Sequence, residues 1–401
     1  MHRKSFSAIR GIVVILGLVI LSPSAQGADF KLIPSLSARE EYNDNISFNI
    51  INPEQDYITT IGVGLDAKER TEILDLTVSG QVSPFFYNDH DHLNDTDMDV
   101  HGNVSYTAGP RFSLKANGAY RIDNRPGRDL ESSGLIFDNN ERVRSKAGGG
   151  VNFTLSETDN VSLAYLYEQD SWQEKSVLHE DFIGNAATLT YAHNISRWVT
   201  ASEITFNLGY GDYVYETTET QSTFGTVGFR RMLNELFSIS IHAGVRYSDS
   251  TFDVISGDQT ETKNETSKNA IGGAGMDYQG ERTVFSLDLS KDLRTANGRQ
   301  GAANLTRAML DIGYRPYDKA LISVTAKYFR NKADADEYST QETDERTLHI
   351  RPTVSWEFID HFTLEAGYNY THYDDKRGDS QAERHVVYLQ LIYVYPLFDM
   401  H

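Results

Sequence analysis

Eleven ionisable side chains stand at alternate positions within runs whose other positions are largely apolar: Lys115, Arg121, Glu203, Arg246, Asp288, Arg307, Asp311, Lys327, His349, Arg351 and Glu365. They mix both signs. Such a set can bind water, hydroxyls and ionic groups weakly and exchangeably, which is the chemistry of a wetted wall past which a hydrophilic solute moves. Two roles are open for these residues: pairing with one another across neighbouring strands, or forming a track for a solute or polymer. Bond-making chemistry has less to stand on. The chain contains no Gly-x-Ser-x-Gly and no His-Glu-x-x-His, so neither a nucleophile elbow nor a zinc-protease helix is present. Asp89-His90-Asp91-His92 and His179-Glu180-Asp181 carry metal-ligating types, but both fall in connections, where solvation is the expected fate. No enzyme activity, cofactor or metal is expected.

The elements that must position these residues are strands. In Phe237-Ser238-Ile239-Ser240-Ile241-His242-Ala243-Gly244-Val245-Arg246-Tyr247 apolar and polar residues alternate, and period-two alternation puts one set on each face of a strand. Similar runs recur at 30–42, 55–68, 72–88, 96–108, 111–123, 141–155, 159–170, 181–195, 198–214, 220–233, 236–248, 267–279, 282–293, 301–315, 319–331, 343–358, 361–373 and 384–396. The connections between them alternate short and long. That rhythm predicts an all-β fold, a transmembrane antiparallel up-and-down β-barrel of about 18 strands, with 16 as the alternative. Short turns at the periplasmic side put both termini there. The most extended connections, 124–140 and 249–266, are polar, and either is long enough to fold into the lumen. The glycine runs at 148–150 and 272–275 sit mid-strand and suit bending or a close approach.

Leu114, Leu163, Tyr165, Phe206, Ile241, Leu289, Ile322, Val354 and Leu389 are assigned to the lipid face, opposite the ionisable set. Tyr210, Tyr213 and Tyr215, and Tyr368, Tyr370 and Tyr373, read as interfacial girdle residues sharing a face near the outer strand ends, or as platforms for sugar rings. A barrel this wide keeps an aqueous lumen, whereas eight strands would be filled by side chains.

Bulk properties agree with an exported chain. Residues 1–27 read as a secretory signal: Arg3, Lys4 and Arg10, an apolar core to Leu21, a break at Pro23, and small residues at Ala25 and Gly27. Residues 28–401 are then one barrel domain. Cysteine is absent, so no disulfide or thiolate chemistry is available. Removing the three basic residues of the signal from the formal charge of −20 leaves −23 on the exported chain. That balance excludes nucleic acid as a main partner. Outer-membrane lipid and lipopolysaccharide, and the barrel-insertion machinery, are the expected partners of a monomer in the bacterial outer membrane.

The segment Pro34-Ser35-Leu36-Ser37-Ala38-Arg39-Glu40-Glu41-Tyr42-Asn43-Asp44-Asn45-Ile46 resembles the opening strand of the β-barrel porin type 2 family, where a similar Glu-x-Tyr-Asn/Asp-Asp-Asn-Ile/Val run starts the barrel. That resemblance implies an outer-membrane pore encoded with exopolysaccharide systems. It further implies passive export of an exopolysaccharide, with a periplasmic polysaccharide-export protein handing over the chain. A general or solute-selective diffusion porin is the alternative, and a structural or adhesive surface barrel a second one.

Overall fold

The computed structural model describes residues 29–400 apart from 137–138, 176–178, 257–258, 296–301, 336 and 339–341. The signal expected over 1–27 lies outside the described residues. Eighteen strands follow one another: β1 Asp29–Asn43, β2 Asp56–Arg70, β3 Leu74–Tyr87, β4 Asp95–Gly109, β5 Phe112–Asp123, β6 Arg142–Thr154, β7 Asp159–Trp172, β8 Phe182–Asn194, β9 Ser202–Tyr215, β10 Thr218–Met232, β11 Phe237–Ser256, β12 Gln259–Gln279, β13 Thr283–Thr295, β14 Ala302–Tyr317, β15 Ala320–Ala333, β16 Thr343–Ile359, β17 Phe362–Asp375 and β18 Ser380–Val394.

Each strand pairs antiparallel with its sequence neighbours, and β1 also pairs with β18 from Ser35↔Val394 to Asn43↔Val386. The sheet therefore closes on itself as a barrel. A short β19, Phe398–Met400, resumes the line of β18 after a break and pairs with the start of β1, Phe30↔Met400 to Leu32↔Phe398. Both described termini lie at the end of the short turns.

Alternation decides which way each strand faces. Leu163, Ile241 and Leu389 are 53%, 57% and 52% exposed, while Arg246, Lys327 and His349, at alternate positions, are buried. In water an apolar band of this extent would be unfavourable; in a bilayer it is the solvent-matched face. Exposed aromatics gather at both ends of the band: Trp198, Tyr317, Trp356, Phe358 and Tyr395 toward the short turns, Tyr57, Phe86 and Tyr247 toward the long connections. The expected tyrosine sets do not stay on one face. Tyr210 is exposed, whereas Tyr215 is buried and packs with Tyr213 on Phe182, ring centroids 5.1 and 6.4 Å away. Residues an odd number apart on a strand must point oppositely.

The connection expected over 249–266 is corrected. β11 and β12 continue through it as one long hairpin, paired from Phe237↔Tyr278 to Ser256↔Gln259. Its outer part is rich in Asp, Ser, Thr, Glu and Asn, which blurs the hydrophobic period. Cross-strand hydrogen bonds replace that signal: Thr262 donates to Asp253 at 2.8 Å, Thr266 to Asp249 at 2.8 Å and Thr251 to Asn264 at 2.7 Å.

Candidate functional site

The functional geometry lies where the connection between β5 and β6 enters the barrel. Arg125-Pro126-Gly127-Arg128 opens it with a tight turn, Arg128 N–H donating to Arg125 O at 3.2 Å and Leu130 N–H to Gly127 O at 3.2 Å. The Asp129 carbonyl then accepts the N–H groups of Ser132, Ser133 and Gly134 at 3.1, 2.9 and 3.0 Å. Gly134 has φ +72°, and a Cβ there would lie 2.6 Å from the Cβ of Phe329. Only glycine meets both demands at once.

A buried ionic cluster fixes the base of this loop. The Arg142 guanidinium, 1% exposed as a residue, donates to both Asp129 oxygens at 2.7 and 3.1 Å. Arg144 bridges Asp170 and Asp129 at 3.0 and 3.2 Å, and Arg128 donates to Asp123 at 3.0 Å. The guanidiniums of Arg128 and Arg142 stand 5.3 and 5.2 Å from the Trp172 ring. Burial alone would raise the Asp129 carboxyl, but Arg142 and Arg144 outweigh it and hold it well below the usual carboxylate range. Apolar contacts add to this anchor: Leu135 on Trp172, and Leu130 on Phe48 and Ala382.

The tip of the loop reaches the far wall. Lys327 Nζ lies 3.3 Å from a Glu131 carboxylate oxygen, and Arg351 pairs with the other. Asn331 donates to Ser133 O at 2.9 Å and Thr347 to Gly134 O at 2.6 Å. These partners sit on β15 and β16. Counting from β5 through β1 and β18, β15 is eight staves away in a ring of eighteen, nearly diametric. The loop therefore crosses the lumen instead of lining it. Burial would raise the Glu131 carboxyl; Arg351 and then Lys327 outweigh it and hold it below its ordinary value.

Beside the loop remains a cavity of about 460 Å³. It is lined by ion pairs: Arg39 with Glu41 at 2.7 Å, Arg121 with Asp99 at 2.8 Å, Arg125 with Asp97 at 2.9 Å, and the Glu131–Arg351 pair. Arg384 also lines it, its guanidinium 4.0 Å from the Phe48 ring centre. The result is a narrow cavity beside the loop, lined by paired charges, an eyelet in shape rather than an open bore.

The residues singled out from the sequence divide among several places. Arg121, His349 and Arg351 line the eyelet cavity, with Lys327 at its far wall on Glu131. His349 makes a 3.0 Å hydrogen bond with Thr371. Glu365 accepts from the Tyr388 hydroxyl at 2.9 Å, and Tyr388 in turn underlies Arg39 at 3.8 Å. Toward the short turns Arg307 pairs with Asp288 at 2.7 Å, and Asp311 accepts from Thr325 at 2.6 Å. Arg246 reaches past β12 to Asp292 at 2.9 Å, and Glu203 lines a separate recess of about 420 Å³ with His242 and Lys291. Lys115 stands on β5 two residues from Asn117, opposite Ser105 and Gly150, with the eyelet residues elsewhere.

Sequence reasoning missed the loop's own charges, Arg125, Arg128, Asp129 and Glu131, and their anchors Arg142 and Arg144. The turn signal Arg-Pro-Gly-Arg amid acids was visible, but its polarity resembles that of any solvated connection. The histidine–acid runs have structural partners. His90 Nδ1 lies 2.8 Å from the buried Asp56, which also accepts the N–H groups of Tyr57, Asn88, Asp89 and His90. His179 packs on Trp172 at 4.6 Å.

Closed, lipid-faced and wetted within, this is a transmembrane β-barrel of the outer-membrane type with a constricted lumen. No family model matches the chain, and no curated protein matches it. Of the residues that resemble the porin type 2 opening strand, those up to Asn43 do lie in the first strand, β1, and those that follow cap its end: Asn45 exchanges hydrogen bonds with Asn49 at 3.0 and 2.8 Å and donates to Glu383 O at 3.0 Å. Among solved structures the chain is similar to Pseudomonas aeruginosa OccK9 (OpdG), at 11% identity over 92% of this chain and 98% of that one, TM-score 0.45. It is similar to Acinetobacter baumannii OccAB2, at 10% identity over 92% and 98%, TM-score 0.46. The alcaligin outer-membrane receptor FauA of Bordetella pertussis matches at 10% over 91% and 76%, TM-score 0.42. Likenesses of this size carry nothing about cargo.

Proposed function

We propose that the chain is a solute-selective diffusion porin, passing small hydrophilic molecules through the eyelet without energy coupling. The observation that carries this reading is the loop crossing the lumen, tethered to Lys327 and Arg351. A polymer sliding outward needs a continuous bore, whereas a pinned constriction favours molecules of a few heavy atoms to a sugar or two. Paired charges around the cavity offer water-exchangeable contacts to polar solutes of either sign. Exopolysaccharide export, which the opening-strand resemblance implied, is accordingly the weaker reading. On the preferred one the barrel sits in the outer membrane with its short turns and both termini in the periplasm, and the eleven ionisable residues form the wetted wall.

The test is liposome swelling with the purified barrel. Swelling is expected with monosaccharides and amino acids, falling off sharply with trisaccharides. Vesicles that fail to swell with any small solute, together with loss of surface polysaccharide on deletion of the chain, would return the export reading to first place.

A further inference from the structure

The barrel wall is incomplete at one place. β12 and β13 pair only from Gln279↔Val284 to Gly272↔Lys291. Beyond that level β12 continues through residues 259–271 paired to β11 alone, while residues 292–295 of β13 pair to β14 alone. Four residues of β13 therefore face a seam, roughly 13 Å high at about 3.3 Å per residue. Glycines mark its foot. A Cβ on Gly272 would lie 2.7 Å from His242 O, and one on Gly273 2.6 Å from Leu289 O, so neither position has room for a side chain. The ladder below the seam uses most of the ~9–11 residues that a tilted spanning strand needs. The seam thus lies at the end of the wall farther from the short turns.

Among the described residues, Tyr338 fills this gap in place of backbone hydrogen bonds, with Glu337 beside it. Tyr338, from the connection between β15 and β16, is wholly buried against Leu293, Ala302, Ala303 and Ala333. Its hydroxyl accepts from Asn269 Nδ2 at 2.8 Å and Ser267 Oγ at 3.1 Å, both on β12. The adjacent Glu337 straps the two sides together, accepting from Asn269 at 3.2 Å and from Asn304 on β14 at 3.2 Å. The β13–β14 side carries Leu293, Ala302 and Ala303, the β12 side carries Ser267 and Asn269, and Arg246 of β11 reaches past β12 to Asp292 of β13. That is the lining for a molecule with a hydrocarbon chain and a polar head.

We propose that the seam is a lateral port that admits the hydrocarbon chain of an amphiphile between the lumen and the outer leaflet, with Tyr338 as its displaceable stopper. The chain takes the place of the ring beside Leu293 and the alanines, and the head meets Asn269 and Arg246. This route lies in the wall, away from the eyelet, and stands whether or not small solutes diffuse along the axis.

The chain has no cysteine, so A303C places one reactive thiol under the stopper. The barrel is reconstituted in lipid vesicles and labelled with N-dodecylmaleimide, which partitions into the bilayer, or with a charged sulfonated maleimide. With Tyr338 intact, and in Y338F, labelling is slow. In Y338A the dodecyl reagent reacts about tenfold faster, the scale expected on losing the packed ring that Y338F keeps. Unchanged labelling in Y338A overturns the port, as does an increase confined to the charged reagent, which would mean a slot open to the lumen only. Heat-modifiable gel mobility checks insertion. Should Y338A fail to insert, E337A cuts the strap alone and must speed dodecyl labelling too; no change there also overturns the proposal.

Discussion

Glu131 and Lys327 meet across the barrel: Nζ lies 3.3 Å from the carboxylate and 3.2 Å from the Glu131 carbonyl, although 196 residues separate the two in the chain. The contact joins a loop rooted on β5 and β6 to the opposite wall. It makes the width of the passage depend on one docked tip.

Removing that dock widens the pore. In E131Q the two cations lose their ionic partner, and half-exposed pairs of this kind contribute about 0.2–1 kcal/mol each. A total near 1 kcal/mol raises the undocked fraction roughly fivefold. Single-channel recordings in planar bilayers are expected to show longer high-conductance excursions. Unchanged conductance and noise would mean that the base of the loop alone sets its position.

Acid does the same through the native side chain. The Glu131 carboxyl titrates below its unfolded value near 4.3, so its pairing stabilises the docked loop fully above that value. The stabilisation is lost as pH falls through the lower, docked value. Conductance is therefore flat from pH 8 to about 5 and rises below about 4, and E131Q removes the step.

Gly134 is the least replaceable residue of the loop. Any L side chain there meets a left-handed backbone and the Phe329 ring together. G134V costs about 1–3 kcal/mol in backbone conformation before the clash is counted. Limited proteolysis checks this: the loop of G134V is cut while the strands stay resistant.

The Arg142–Asp129 pair tests the base. Breaking a buried pair from one side leaves an uncompensated charge and costs about 3–5 kcal/mol. R142A is expected to lower the thermal transition of the detergent-solubilised barrel markedly. A double change to R142M and D129L recovers much of the loss, because no charge is then left alone.

Lipid contact is testable at Leu163. L163R puts a cation on the apolar band and costs about 2–4 kcal/mol near mid-depth, read as a shifted urea midpoint for folding into vesicles. An equal charge at Asn207, which faces Thr226 and Thr190 inside, leaves the midpoint nearly unchanged.

How much of this was legible in the sequence depends on which solvent a residue meets. Inside the bilayer one face must be apolar, so β5, read as 111–123 and found as Phe112–Asp123, was visible to within a residue. Above the bilayer no lipid enforces an apolar face. The β11–β12 hairpin lost its period there and was read as a connection, though its ladder continues. The eyelet was hidden for a different reason. Glu131 finds Arg351 220 residues later, and no local pattern distinguishes an acid that will cross a lumen from one that stays in water.

Closure of the ring also constrains how the molecule can be made. Ser35 pairs with Val394 and Asn43 with Val386, so the first stave finds one of its neighbours only when nearly the whole chain has been synthesised. The chain-entropy cost of joining ends so far apart grows only slowly with length, about 0.6 kcal/mol per doubling, so thermodynamics tolerates the arrangement. Kinetics does not: until that last seam zips, two open edges invite pairing with any other strand. Truncation of the final hairpin would leave those edges permanently adhesive.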